Sequence, residues 1–321
     1  MAKSTGIIWA KSTFNAWTGC TKVGPGCDHC YAEAMMDKRL HVVQWGPGKP
    51  RKRTSPANWR QPLKWNREAP DSEFMGRKGF WPVFVNSASD VFDNEVDPQW
   101  RADLFALIRA TPNLTWLLLT KRIGNAAKML DEVADKDPAT LFDWPLPNVW
   151  IGATVVNQEE ADRDIPKLLA VPAAKRFLSI EPMLGPVDLT KVMRHEPDAG
   201  RDGDGGWTFV DDVLTGWRSN KSGGSANKRN AVDWVIAGGE SGPQSRPAHP
   251  DWFKSIRDQC KATGVPFLFK QWGEWAPLDH FPSETQEDYE LRGIAEDGVV
   301  RAGTKAAGNH LDGRQHIEFP K

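Results

Sequence analysis

Short apolar runs recur along the chain at Pro82-Val83-Phe84-Val85, Thr115-Trp116-Leu117-Leu118-Leu119, Val149-Trp150-Ile151, Arg176-Phe177-Leu178-Ser179-Ile180, Trp234-Val235-Ile236-Ala237 and Phe267-Leu268-Phe269. Their apolarity is continuous rather than alternating, which is the pattern of parallel strands covered on both faces. Between them lie segments of helical period. Trp100, Leu104, Leu107 and Ile108 share one face behind an Asp97-Pro98 start; Ile123, Ala126, Ala127, Leu130 and Val133 form a second; Ile165, Leu168 and Leu169 a third; Trp252, Phe253, Ile256 and Cys260 a fourth. Strand and helix alternate, so the expected fold is α/β, built from βαβ units with right-handed crossovers. Each run ends in a polar cluster, and a parallel barrel opens all such ends on one face. An open doubly wound sheet also gathers them on one edge, so a partial (β/α) barrel is a preference over that sheet.

Two stretches interrupt the alternation. Residues 198–230 are rich in Gly, Ser, Asn and charge and read as a long mobile insertion with a short hairpin at 207–217. From Gly273 onward, glycine and proline punctuation without helical period predicts a small cap of turns and short strands. The expected organisation is therefore a barrel over residues 1–272, with that insertion, and a C-terminal cap over 273–321. No internal repeat is visible.

Composition narrows the class. The 321 residues are 40% hydrophobic and 26% charged with a net charge of -1, as in a soluble globular protein and unlike a globally basic nucleic-acid binder. No apolar run approaches the roughly 18 residues of a membrane helix, and the N-terminus lacks a secretory core, so a cytoplasmic protein is expected. Sixteen tryptophans against two tyrosines point first to packing, since indole buries a large apolar area. Of four cysteines, Cys20, Cys27 and Cys30 crowd together, which speaks for metal rather than disulfides.

Those cysteines lie in Trp17-Thr18-Gly19-Cys20-Thr21-Lys22-Val23-Gly24-Pro25-Gly26-Cys27-Asp28-His29-Cys30-Tyr31. Thiolates suit iron-sulfur clusters, and a glycine-punctuated loop is able to curl its sulfurs onto one metal centre. Three ligands leave one iron of a 4Fe-4S cluster open for a cofactor or substrate. The alternative is a zinc site completed by His29, His41 or Cys260, and spacing alone hardly separates the two. Context favours iron and sulfur. A structural zinc usually clips a module without its own core, whereas this triad precedes a large α/β pattern. His29 is also cramped between two cysteines, and Cys260 falls on an apolar helix face.

The run WTGCTKVGPGCDHCYAE, followed in order by VNSASDVF, LLLTKR, LSIEPMLGP, WVIAGGESG, FKQWG and LDGR, resembles the phage-associated three-cysteine-motif family of radical-SAM-like proteins. The likeness extends from about Phe14 to Pro320. It departs from the common Cys-x3-Cys-x2-Cys spacing, since six residues separate Cys20 from Cys27. The resemblance implies a radical-SAM-like, TIM-type partial barrel, a 4Fe-4S cluster on Cys20, Cys27 and Cys30, and S-adenosylmethionine (SAM) on the open iron. It further implies a 5'-deoxyadenosyl radical that removes a hydrogen atom from substrate, and a reductant such as flavodoxin or ferredoxin. The setting it implies is a phage-infected or prophage-carrying bacterial host, with action in DNA (thymidine) hypermodification, such as isomerising a glycyl-thymine adduct.

Further candidates surround that centre. Tyr31 stands where the superfamily often places an aromatic near the SAM adenine, and packing is an equal reading. Gly238 and Gly239 form a turn that lets a ligand approach backbone, with Glu240 free to accept from an amine or ribose hydroxyl. Among charges at strand ends, Lys121, Arg122 and Lys270 suit a carboxylate or phosphate, while Glu181 and Asp90 suit an amine or ribose; the plain alternative for each is a rim salt bridge. Finally Lys49, Arg51, Lys52, Arg53, Arg60, Lys64 and Arg67, interleaved with Trp59 and Trp65, make a candidate DNA groove, where cations meet phosphates and indoles stack on bases. A solvated loop with two packed tryptophans is the competing reading. Other classes remain open: radical chemistry on a peptide or small molecule, or a zinc-stabilised nucleic-acid-binding module without catalysis.

Overall fold

The computed structural model describes residues 5–139, 144–197, 206–220, 230–280 and 298–321. Residues 198–205 and 221–229 of the predicted insertion, and 281–297 of the predicted cap, lie outside them. The chain forms two compact units, Met1–Ala153 with Val171–Arg176, and Thr154–Ala170 with Phe177–Lys321.

In the first unit the strands β1 (Ser12–Phe14), β2 (Pro82–Val85), β3 (Thr115–Thr120) and β4 (Val149–Thr154) neighbour one another in chain order, and every pair is parallel. All of β2 and β4 is buried, which explains their unbroken apolarity. Strand β1 is too short to show a period, and the apolar runs do not reveal it. Its register, Phe14 opposite Val85 and Val85 opposite Leu118, brings the chain segments that follow β1, β2 and β3 to one edge. Phe14 packs edge-on against Trp116, with ring centroids 5.8 Å apart.

Helix α1 (Pro98–Arg109) follows β2. Asp97 caps it by accepting from the Gln99 N–H at 2.8 Å, with Pro98 in the first turn. Its buried face includes Arg101, Leu104, Phe105 and Ile108, a seam rotated from the predicted one. Arg101 goes inside because its guanidinium donates to the Val91 and Asp93 carbonyls, each at 2.9 Å. Helix α2 (Ala126–Lys136) likewise buries Met129 where the period suggested Leu130.

In the second unit β5 (Lys175–Ile180), β6 (Trp234–Gly238) and β7 (Phe267–Gln271) are parallel in that order. Helices α3 (Gln158–Ala170) and α4 (Pro250–Thr263) bury Ile165, Leu168 and Leu169, and Phe253, Ile256 and Cys260 respectively, as their spacing predicts; Trp252 stays half exposed. The predicted hairpin appears as Gly206–Asp212 against Trp217–Asn220, extended by Val192–Pro197 into an antiparallel ribbon. The C-terminal segment lies along β7: the Phe269 N–H donates to the His316 carbonyl at 2.9 Å and the Glu318 N–H to the Phe267 carbonyl at 3.2 Å. These bonds satisfy backbone groups on one edge of β7. Among the described residues no helix is long and apolar enough to cross a membrane.

Candidate metal-binding loop and strand-end sites

The cysteine loop leaves the C-terminal end of β1. Trp17–Thr18 pairs antiparallel with Lys52–Arg53, which pins both ends of the excursion. Gly19 has φ +103, and a Cβ there would sit 3.0 Å from a Val43 methyl and 3.2 Å from Arg51 Cδ, so glycine is required. The Gly19 N–H donates to the Ala88 carbonyl at 3.1 Å, and the Cys20 carbonyl accepts from the Gly46 N–H at 2.9 Å. Cys27 closes a short helical turn at Pro25–Cys27 and is buried; Cys30 is half-buried and precedes the turn Tyr31–Glu33.

Asparagines sew this loop to the segment after β2. Asn15 Oδ1 accepts from the Ala88 N–H at 2.8 Å, and Asn86 Oδ1 accepts from the Ala16 N–H at 2.8 Å. Asn86 is buried with φ 55, a left-handed conformation that asparagine tolerates better than most residues. Neither was singled out in the sequence; the signal available was an asparagine directly after an apolar strand.

Beneath the loop lies a buried charge network. Arg51 Nε donates to Asp93 Oδ2 at 2.7 Å, with both side chains only 1% exposed. The same guanidinium also donates to the Gly46 and Lys49 carbonyls and to Thr21 Oγ1. Arg122 donates from Nη1 to Cys20 Sγ at 3.2 Å and from Nη2 to the Thr21 carbonyl at 2.6 Å, and lies 3.4 Å from Asp90 and 3.9 Å from Asp93. Burial works against the Arg122 charge, but Asp90, Cys20 and Asp93 outweigh it and raise its pKa further. Burial, reinforced by Asp90, pushes the Cys20 thiol up to about 12 despite Arg122, so the metal-free chain keeps that sulfur protonated at neutral pH. A metal binding there would displace the proton.

Several predicted ligands therefore have other work. Asp90 does not present a free carboxylate: Oδ1 accepts from Thr120 Oγ1 at 2.7 Å and the Phe92 N–H at 2.9 Å, and Oδ2 from the Lys121 N–H at 3.0 Å. Arg122 is likewise engaged by the loop rather than held out for a substrate anion. Lys121 is half-buried, and among the described residues its ammonium has no ion-pair or hydrogen-bond partner. Tyr31 is 59% exposed and donates its hydroxyl to the Ser87 carbonyl at 2.6 Å. In the basic segment, Trp65 is core, stacked near Trp81, and Trp59 packs edge-on to Phe14 with Arg53 over its ring. Arg51 is buried as described. Exposed cations remain at Lys49, Lys52, Arg53, Arg60, Lys64 and Arg67.

The second unit gathers the other candidates at the ends of β5, β6 and β7. Glu181 Oε2 accepts from Ser179 Oγ at 3.3 Å and from Lys270 Nζ at 3.5 Å. Its Oε1 is buried without a hydrogen-bond partner among the described residues, and a Cβ on Gly238 would approach it to 2.8 Å. Gly239 lets two backbones cross closely: a Cβ there would lie 1.8 Å from the Trp272 carbonyl oxygen. Glu240 is paired within the protein: Arg246 donates to Oε1 through Nη2 at 2.6 Å and to Oε2 through Nε at 2.9 Å and the backbone N–H at 2.7 Å.

Among the described residues no group of three or more histidine, cysteine, aspartate or glutamate side chains is arranged to hold a metal ion. Cys20, Cys27 and Cys30 share one glycine-bearing loop, and Cys20 Sγ accepts an N–H bond from Arg122, but among the described residues the three thiols are not drawn together as ligands of one metal. Cys260, fully buried on α4, does not belong to that loop.

Removing Asp93 takes away the buried carboxylate nearest to Arg51 and leaves the partly exposed Glu95, 3.5 Å away, so Asp93→Ala is expected to cost about 3 kcal/mol of stability in urea unfolding. A loss below about 1 kcal/mol, the scale of an exposed pair, would contradict the anchoring role.

The model of a family described as "Protein of unknown function (DUF5131)" matches residues 4–320, and the chain belongs to that family. No curated protein and no solved structure matches it.

Proposed function

We propose that this member of the DUF5131 family is a radical SAM enzyme of barrel type, with a 4Fe-4S cluster on Cys20, Cys27 and Cys30. The observation that carries the reading is the trio of thiols in one loop, docked on buried charge at the strand ends of the first unit. A cluster held there would supply the one-electron chemistry by which SAM is reductively cleaved. The chain's own residues hold and orient. The three thiols ligate, the Arg51 and Arg122 network fixes the loop, and Tyr31 contributes an aromatic surface beside it. Lys121 and Lys270 bind anionic groups, and Glu181 Oε1 accepts from an amine or hydroxyl. A reduced flavodoxin or ferredoxin is the electron source.

The substrate class assigned is phage DNA, with a glycyl group on the thymine methyl carbon moved from nitrogen to carbon. Support comes from the exposed cations Lys49, Lys52, Arg60, Lys64 and Arg67, which suit phosphates. With Trp65 in the core, this surface offers charge more than base stacking.

Anaerobic reconstitution with iron and sulfide tests the centre. The wild type and Cys260→Ser are expected to turn brown and hold a full cluster per chain, whereas Cys20→Ser, Cys27→Ser and Cys30→Ser lose most of the iron and sulfide. A colourless zinc protein would end the proposal. For the substrate, retention on DNA should fall steeply with salt. Each phosphate-binding cation removed, by Lys52→Glu, Arg60→Glu or Lys64→Glu, should flatten the log–log slope by about 0.7–0.9. Equal slopes in the wild type and the triple variant would remove DNA from the account.

A further inference from the structure

The strand ends of the second unit hold more polar capacity than the protein uses. Ser179 is the register partner of Ile236, and Val235, Ile236 and Ala237 pair in turn with Phe267, Leu268 and Phe269. The ends of β5, β6 and β7 therefore lie side by side and bring Glu181, Gly238 and Lys270 together. Glu181 is a desolvated carboxylate, its side chain 12% exposed. Ser179 and Lys270 both approach its Oε2, and Oε1 is left buried with no hydrogen-bond partner among the described residues. Gly238 leaves room for that oxygen, since a Cβ there would approach it to 2.8 Å. Thr154, at the end of neighbouring β4 and 3% exposed, carries a buried hydroxyl in the same condition.

An unmade bond to a buried carboxylate oxygen costs stability, so an ion pair that served structure alone would gain by filling both oxygens. Lys270 adds an ammonium with three donors, 30% exposed, one of which is directed at Glu181. Together the two side chains carry no net charge. A lone cation is attracted to Glu181 and repelled by Lys270, a lone anion the reverse, and a ligand with both charges close together meets both. With Oε1 open to an ammonium and Lys270 open to a carboxylate, the matching chemistry is an α-amino acid head group. We infer that Glu181 and Lys270 form a binding site for the ammonium and carboxylate of an α-amino acid, free or carried on a larger substrate. This inference deepens, and rests on, the amine-binding and anion-binding roles given to these two residues above; it needs no metal centre.

The test titrates the full-length chain, without added metal, with L-alanine and with ethylamine and propionate, each of which keeps one of the two charges of alanine. Binding is read by saturation-transfer NMR and folding by thermal unfolding. L-alanine is expected to bind at least about tenfold more tightly than either fragment, and Glu181→Gln and Lys270→Met each to weaken it at least about tenfold. Lys270 is partly exposed, so Lys270→Met remains informative should Glu181→Gln fail to fold. No binding of L-alanine, equal affinity for all three compounds, or unchanged affinity in a folded variant would overturn the inference. Iron and sulfide uptake is measured separately: L-alanine binding by a chain that takes up no cluster upholds this site and ends the enzyme proposed above, whereas uptake without L-alanine binding overturns this site alone.

Discussion

Two arginines and two aspartates are taken out of water in the first unit, and each constrains where the others sit. Buried charges are tolerated only when paired and fully hydrogen-bonded, because desolvation costs several kcal/mol per ion. Arg51, Arg122, Asp90 and Asp93 meet that condition only if four separate chain segments arrive together: the cysteine loop, the Gly46 to Arg51 stretch, the turn after β2 and the end of β3. The parallel register of β1, β2 and β3 delivers those segments to one edge. The charge network then fixes their relative placement, and the cysteine loop inherits its position from it.

This arrangement changes what the charged residues mean. Asp90, Arg122 and Glu240 read in the sequence as groups held out for a ligand, since each follows an apolar run. In the structure each is bound to a protein partner. Lys121, Lys270 and the second oxygen of Glu181 retain capacity for a ligand, in two separate units. Gly239 permits two backbones to cross, and that packing needs no cofactor to explain it.

What was legible in the sequence was whatever rests on local period. Six strands appear where continuous apolar runs placed them, and Ile165, Leu168 and Leu169 or Phe253, Ile256 and Cys260 bury as their spacing dictates. Period fails where an element is short or where a polar residue is satisfied by distant backbone. Strand β1 has three residues, and Arg101 is inside because two carbonyls from another segment receive it. The same limit hid Arg51, which looks like one more cation in a basic run, and Trp65, which looks like a stacking platform. A sequence shows that a charge exists; its partner is a tertiary fact.

The central claim is that the anchored loop presents three thiolates and leaves one iron without a protein ligand. Mössbauer spectroscopy of the reconstituted protein, recorded with and without SAM, addresses this directly. A single iron of the cluster is expected to change its isomer shift when SAM is added, the others staying as they were. A spectrum that SAM leaves unaltered, with every iron ligated by protein, would contradict it.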